Sequence, residues 1–191
     1  LAQTRKTPVA RRPRPSYSNL GFALLGHAVA AGAGCSYAEL VERRLASPLG
    51  LTSLYAPLTT ADLRPTALRG TSRDGRRRDP WVGEGIAPAG GLRASIHDVG
   101  RLALALLDGT APGLTALDSR ADFAGAARIG SAWITSPLPG RERGEMTWHN
   151  GGTGGFRSFV GLDRERGNAV VVVSPRSVTV DGQAARLLAE L

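Results

Sequence analysis

The feature that most restricts the fold is a change of apolar period late in the chain. From Arg128 onward the apolar residues recur at an extended spacing instead of a helical one. Residues 128–135 read as a strand, 137–144 as a turn and 145–150 as a second strand. An alternating run follows over 156–162, then a turn at Asp163-Arg164-Glu165-Arg166-Gly167, then a nearly continuous apolar run over 169–174. Connections this short cannot carry the crossover that parallel strands need, so the sheet is expected to be antiparallel. A helix over 181–191, with Ala184, Leu187 and Leu188 on one side, should pack on that sheet.

The first part of the chain reads differently. Ser18 is placed to cap a helix over 19–33, which is apolar on most faces and therefore expected to be buried. Ser36 and Glu39 have capping-box spacing and open a second helix to about Ala46, ended by Pro48-Leu49-Gly50-Leu51. Ser95 and Asp98 repeat that spacing ahead of Ile96, Val99, Leu102, Ala103, Leu106 and Leu107 at helical intervals. Residues 52–90 carry prolines, glycines and charges with little periodicity and read as long loops over one face. Residues 109–127 read as another loop region with one helical turn. Helices first and sheet last is an α+β arrangement. Residues 1–15 are basic and proline-punctuated and are expected to be loosely ordered. Residues 16–191 form one domain, helical to 127 and sheet with terminal helix from 128.

Composition narrows the functions. A chain of 191 residues can bury roughly 70% of the surface its unfolded form exposes. The net charge of +8 is almost all arginine, since Lys6 is the only lysine. Arg11, Arg12 and Arg14 cluster at the start, and Arg73, Arg76, Arg77 and Arg78 form a second run. No aromatics interleave with them and no nucleic-acid-binding motif accompanies them, so they read as solvated loops and no nucleic-acid partner is expected. The single cysteine, Cys35, excludes an internal disulfide and reads as a small packed side chain. The apolar stretch 20–33 is interrupted by Gly26 and His27 and is too short to span a membrane. His27, His97 and His149 are far apart in sequence and lack carboxylates at ligand spacing, so neither a metal nor another cofactor is expected. His27 reads as a packed or capped side chain, His97 as exposed.

The residues that suggest chemistry stand at opposite ends. Trp148-His149-Asn150-Gly151-Gly152-Thr153-Gly154-Gly155-Phe156 puts a glycine cluster at the edge of a strand, where a substrate backbone can lie close. His149 adds a proton-handling ring beside it. No Gly-Lys-Ser/Thr follows, which argues against a phosphate-cradling loop. Tyr17-Ser18-Asn19 stands near the other end. Each residue also has a plain reading: Tyr17 as a core tyrosine, Asn19 as a helix cap, His149 as a satisfied strand-edge histidine.

Taken in order, Pro15-Ser16-Tyr17-Ser18-Asn19-Leu20-Gly21-Phe22, then Ala87-Pro88-Ala89-Gly90-Gly91-Leu92-Arg93-Ala94-Ser95 with Asp98, then Trp148-His149-Asn150-Gly151-Gly152 resemble one family. It is the group of serine β-lactamases, D-Ala-D-Ala carboxypeptidases and related esterases, on its Tyr-x-Asn branch. The resemblance runs from about Pro15 to the C-terminus and implies a β-lactamase/DD-peptidase-like fold. It implies that Tyr17 relays a proton, that Asn19 bonds the substrate amide, and that His149-Asn150-Gly151 stands where other members have Lys-Thr-Gly. Asn150, Gly151, Gly152 and Thr153 would then line the groove for a small-molecule or peptide acyl substrate, with the Gly152 N–H as an oxyanion donor. The histidine tilts the expected substrates from β-lactams toward esters or peptides.

The family's nucleophile sits in Ser-x-x-Lys on a buried helix, one turn apart so that the ammonium meets the hydroxyl. With Lys6 the only lysine, the serine position holds Gln3, so the motif is absent. The resemblance therefore implies the C-terminal part of a hydrolase, without its nucleophile helix and N-terminal strands. Such a chain would be inactive alone and prone to aggregate through an uncovered sheet edge. The alternative is a non-catalytic relative that keeps the groove for binding.

Overall fold

A computed structural model describes residues 15–191. The basic segment expected to be loose, with Arg11, Arg12 and Arg14, lies outside the described residues apart from Pro15.

Helix α1, Asn19–Gly32, begins where its cap predicts. Ser18 is extended and its Oγ accepts from the Gly21 N–H at 3.0 Å, which satisfies one of the donors that a helix start leaves free. One side of α1 lies on the segment 84–91. A side chain at Gly26 would overlap Pro88, and His27 Nε2 bonds the Glu84 carbonyl at 3.0 Å. The expected burial is not found: only Ala23 and Ala30 are buried, while Leu25 is 56% and Val29 52% exposed. A helix apolar on most faces needs neighbours on most faces. Among the described residues α1 meets them on one side.

Helix α2, Tyr37–Val41, carries a complete capping box: the Glu39 N–H donates to Ser36 Oγ, and Glu39 accepts from the Ser36 N–H at 2.8 Å. Instead of stopping near Ala46 the helix widens into a π turn over Glu42–Ala46 and continues as α3, Ser47–Leu49. Pro48 explains the widening. It brings no N–H, and its ring would press on the carbonyl of Arg44 in a regular helix. Gly50, at φ 64°, ends the run.

The next helix, α4, Ile96–Leu107, is tied to a loop far away in sequence. Buried Asp98 accepts from the Ser53 N–H at 2.6 Å and from Ser53 Oγ at 2.5 Å, while its own N–H donates to Ser95 Oγ. Burial pushes the Asp98 carboxyl upward, but the Ser53 bonds and the Arg101 charge outweigh it and hold the group below the usual carboxylate range.

Six strands follow in a continuous antiparallel meander: β1 Ala121–Ala124, β2 Ala127–Ile129, β3 Ile134–Pro137, β4 Glu145–Gly151, β5 Arg157–Asp163 and β6 Asn168–Ser174. The sheet thus starts at Ala121, inside the stretch expected to be loop, and the single strand expected over 128–135 is two. Backbone geometry forces the split. Gly130 lies so close to the carbonyls of Ala116 and Asp118 that no Cβ fits, its N–H donates to the Trp133 carbonyl at 2.8 Å, and Ala132 has φ 76°. A straight strand cannot pass through that turn.

Helix α5, Asp181–Glu190, covers one face of the sheet, where Leu188 packs with Met146, Phe159 and Val170. The other face carries Leu162, Val160 and Val171 against Ala103, Leu106 and Leu107 of α4. The sheet is therefore the middle layer between two helical ones.

Candidate active site

The side chains of β4 alternate between these layers. Met146 and Trp148 enter the core with α5, so His149 points to the α4 side and Asn150 back to the α5 side. Pairing with β5 runs from Thr147 opposite Leu162 down to Gly151 opposite Ser158. Pairing with β3 stops earlier. The register on that side runs from Pro137 opposite Glu145 to Ile134 opposite Trp148 and goes no further. On that side residues 149–151 present an open strand edge, with backbone groups that no strand among the described residues satisfies. An extended ligand can add there by main-chain hydrogen bonds.

The glycine cluster divides into two parts. Gly151 and Gly152 lie against the side chains of Ser158 and Arg157 of β5. Gly154 and Gly155 do another job: both have positive φ, 55° and 86°, and both press against backbone, Gly154 on Asp79–Trp81 and Gly155 on Gly70–Thr71. These two glycines fasten the β4–β5 loop to the long loop region and do not line a groove. Phe156 closes the loop beneath the Arg93 guanidinium, 5.6 Å from its ring centre.

His149 is half-buried, and that burial holds its imidazole below the ordinary histidine range, opposed by an interaction with the Asn150 backbone. At neutral pH the ring is uncharged and able to accept a proton or a hydrogen bond. Asn150 donates its amide to Asp181, the first residue of α5, at 2.6 Å. Its side chain is therefore committed to the α5 layer and does not face the same way as His149. The Thr153 methyl rests against Gly90, in the segment 87–91 that α1 packs upon.

At the other end, Tyr17 is 60% exposed and makes no side-chain hydrogen bond among the described residues, which removes its reading as a core tyrosine. Asn19 is not the cap, because Ser18 is. It is the first helical residue and its side chain is exposed. No ring contact or hydrogen bond joins Tyr17 to His149 among the described residues. The described path between their regions runs from α1 to the 84–91 segment and from Gly90 to Thr153. The residue that sequence reading passed over is Arg157. Its signal was available, because Gly152 and Arg157 flank the loop of a β-hairpin and so stand across from each other.

The family model described as Beta-lactamase matches residues 1–191. The chain belongs to the β-lactamase family. Among solved structures it is similar to a class C β-lactamase at 18% identity and TM-score 0.77, covering 92% of this chain and 58% of that one. A D-alanine carboxypeptidase from Burkholderia cenocepacia gives 22% identity and TM-score 0.78, with 92% and 60% covered. An octameric penicillin-binding protein homologue from Pyrococcus abyssi gives 23% and 0.80, with 95% and 44% covered. At these identities the likeness establishes the β-lactamase/DD-peptidase fold. The chain spans less than two thirds of the length of these solved relatives. No curated protein matches it.

Proposed function

We propose that this chain carries the acyl-substrate groove of a serine hydrolase that works through an acyl-enzyme on ester, peptide or β-lactam substrates. The observation that carries the reading is the edge of β4 at 149–151, left open on the β3 side among the described residues, with the half-buried His149 imidazole on it. A substrate backbone pairs along that edge and brings its carbonyl to the Gly152 N–H, which stabilises the negative charge that develops during attack. Exposed Tyr17, at the start of α1, passes the proton between nucleophile and leaving group, and His149 supports that relay as an acceptor. Asn19 bonds the substrate amide. With no fixed cation at position 149, esters and peptides fit this groove better than β-lactams.

The attacking hydroxyl and its lysine are not among these residues, since no Ser-x-x-Lys occurs in the sequence. For the 191-residue chain the reading is thus binding without turnover. Two measurements test it together. An acyl-dipeptide should shift the amide resonances of residues 149–153, and a fluorophosphonate probe should leave the intact mass of the chain unchanged. A polypeptide extended ahead of Tyr17 by a Ser-x-x-Lys helix should become labelled. Shifts confined to other residues would remove the groove, and a covalent adduct on the 191-residue chain would reveal a nucleophile elsewhere.

A further inference from the structure

The arginine run of the long loop region is built into a small, firmly held hairpin. Thr71 pairs antiparallel with Arg77, the Arg78 N–H donates to the Gly70 carbonyl at 3.0 Å, and the Ser72 N–H donates to the Arg76 carbonyl at 2.8 Å. Gly75, at φ 86°, turns the tip, and the hydroxyl of buried Ser72 accepts from the Arg76 N–H at 3.1 Å. The foot is fastened to the chain after β6: the Thr71 N–H donates to the Pro175 carbonyl and the Ser177 N–H to the Thr71 carbonyl, both at 2.9 Å. Arg176 donates from Nε at 3.0 Å and from Nη2 at 2.5 Å to the Arg73 carbonyl, which brings another guanidinium to the same protrusion.

Arg69, Arg73, Arg76, Arg77, Arg78 and Arg176 are all exposed there, with Asp74 and Asp79 as the acids between them. Arg76 pairs with Asp74 at 3.1 Å, and the other five arginines have no ion pair among the described residues. Cations crowded in this way repel one another in the free chain, and a surface of opposite charge offsets that repulsion. Apolar side chains border the protrusion. Leu68 stands two residues before Gly70, Trp81 three residues after Arg78, and Val178 beside Ser177, and all three are exposed. Gly154 and Gly155 press on Asp79–Trp81 and on Gly70–Thr71, so both arms of the hairpin are held together at the end that carries Leu68 and Trp81.

We infer that this hairpin and its apolar border form a docking surface for a bilayer containing anionic phospholipid. The guanidiniums pair with headgroup phosphates, while tryptophan and aliphatic side chains settle at the boundary of headgroups and acyl chains. The aliphatic border favours a bilayer over a nucleic acid, which would engage the arginines alone. The inference is independent of the groove at 149–152, and no covalent step is involved.

The test uses the 191-residue chain with two kinds of vesicle, phosphatidylcholine alone and an equal mixture of phosphatidylcholine and phosphatidylglycerol. A sample centrifuged without vesicles is the blank. The chain should sediment with the anionic vesicles at about 0.1 M salt, leave them at about 1 M, and ignore the neutral ones. An arginine near an anionic surface strengthens binding about fivefold, so Arg73→Gln, Arg77→Gln and Arg78→Gln together should weaken it about 100-fold. Those three side chains make no hydrogen bond or ion pair among the described residues, so the variant should keep the wild-type unfolding midpoint. A second readout needs no charge change: tryptophan emission should move to the blue on mixing with anionic vesicles, and Trp81→Phe should remove that shift. Equal sedimentation with neutral vesicles, or full binding by the triple variant, would overturn the inference. So would a loss of binding that follows Arg11→Gln, Arg12→Gln and Arg14→Gln instead, a blue shift that survives Trp81→Phe, or tighter binding to a DNA duplex than to anionic vesicles at equal phosphate.

Discussion

Gly161 is the place where a single methyl group should be most costly, and the reason lies two residues away. Gly161 sits within β5 on the α5 side, and an ideal Cβ there would stand 2.6 Å from Phe159 Cε1, 3.1 Å from Phe159 Cζ and 3.1 Å from Leu188 Cδ2. Carbon atoms in contact rest at about 3.5–4.0 Å, so Gly161→Ala demands that both side chains move. Neither has space, since Phe159 is 1% and Leu188 0% exposed. The Phe159 ring is also stacked on Trp148, with centres 5.6 Å apart and planes at 20°, and it must leave that position. Overpacking costs about 1–3 kcal/mol and a lost aromatic pair about 0.5–1.5 kcal/mol, so the variant should lose roughly 2–4 kcal/mol. With a urea slope of about 2 kcal/mol/M, the unfolding midpoint should fall by about 1–2 M. The effect should reach the site, because lifting α5 from the sheet carries Asp181 away from Asn150, and the Asn150 side-chain amide resonance should shift. Adding Leu188→Ala should recover part of the strain, so the double variant should cost less than the sum of the single ones. Strict additivity, or a loss below about 0.5 kcal/mol, would refute the packing argument.

His149 offers a pH test. Its folded-state pKa is lowered by burial, so folding favours the neutral ring, and the stability this provides is complete above the ordinary value of about 6.5. As pH falls from there the unfolded chain takes up the proton first. Stability should drop until the pH passes below the folded pKa, and an imidazole resonance titrating at or above 6.5 would contradict this. On α1, Leu25→Glu should reduce self-association in light scattering while leaving the unfolding midpoint within about 0.5 kcal/mol of wild type, because the side chain is already exposed.

Much of the fold was legible because local chemistry and tertiary structure agree. The serines at 18, 36 and 95 each accept a hydrogen bond from the helix they open, and β4, β5 and β6 follow the apolar alternation to within a residue or two at their ends. The misreadings occur where a contact distant in sequence decides. β1 has no run of β-branched residues and pairs over only a few positions with a register shift, so it exists because β2 is beside it. The division of β2 from β3 depends on carbonyls of residues 116 and 118, which no periodicity encodes. For α1 the sequence states a need for burial, and only neighbours can meet it.

The same distinction separates the parts of the candidate site. The motif residues announce themselves by type, but sequence cannot say that β3 ends opposite Trp148 and leaves the next three residues of β4 unpaired on that side. That end point leaves one side of His149, Asn150 and Gly151 without a strand partner among the described residues, unlike an ordinary interior strand. It also distributes their tasks. An asparagine in a groove motif reads as a ligand contact, yet here it faces the layer of α5 and holds Asp181. The glycines likewise read as one open cluster, while packing assigns Gly154 and Gly155 to fastening the loop and leaves Gly152 beneath the Arg157 guanidinium.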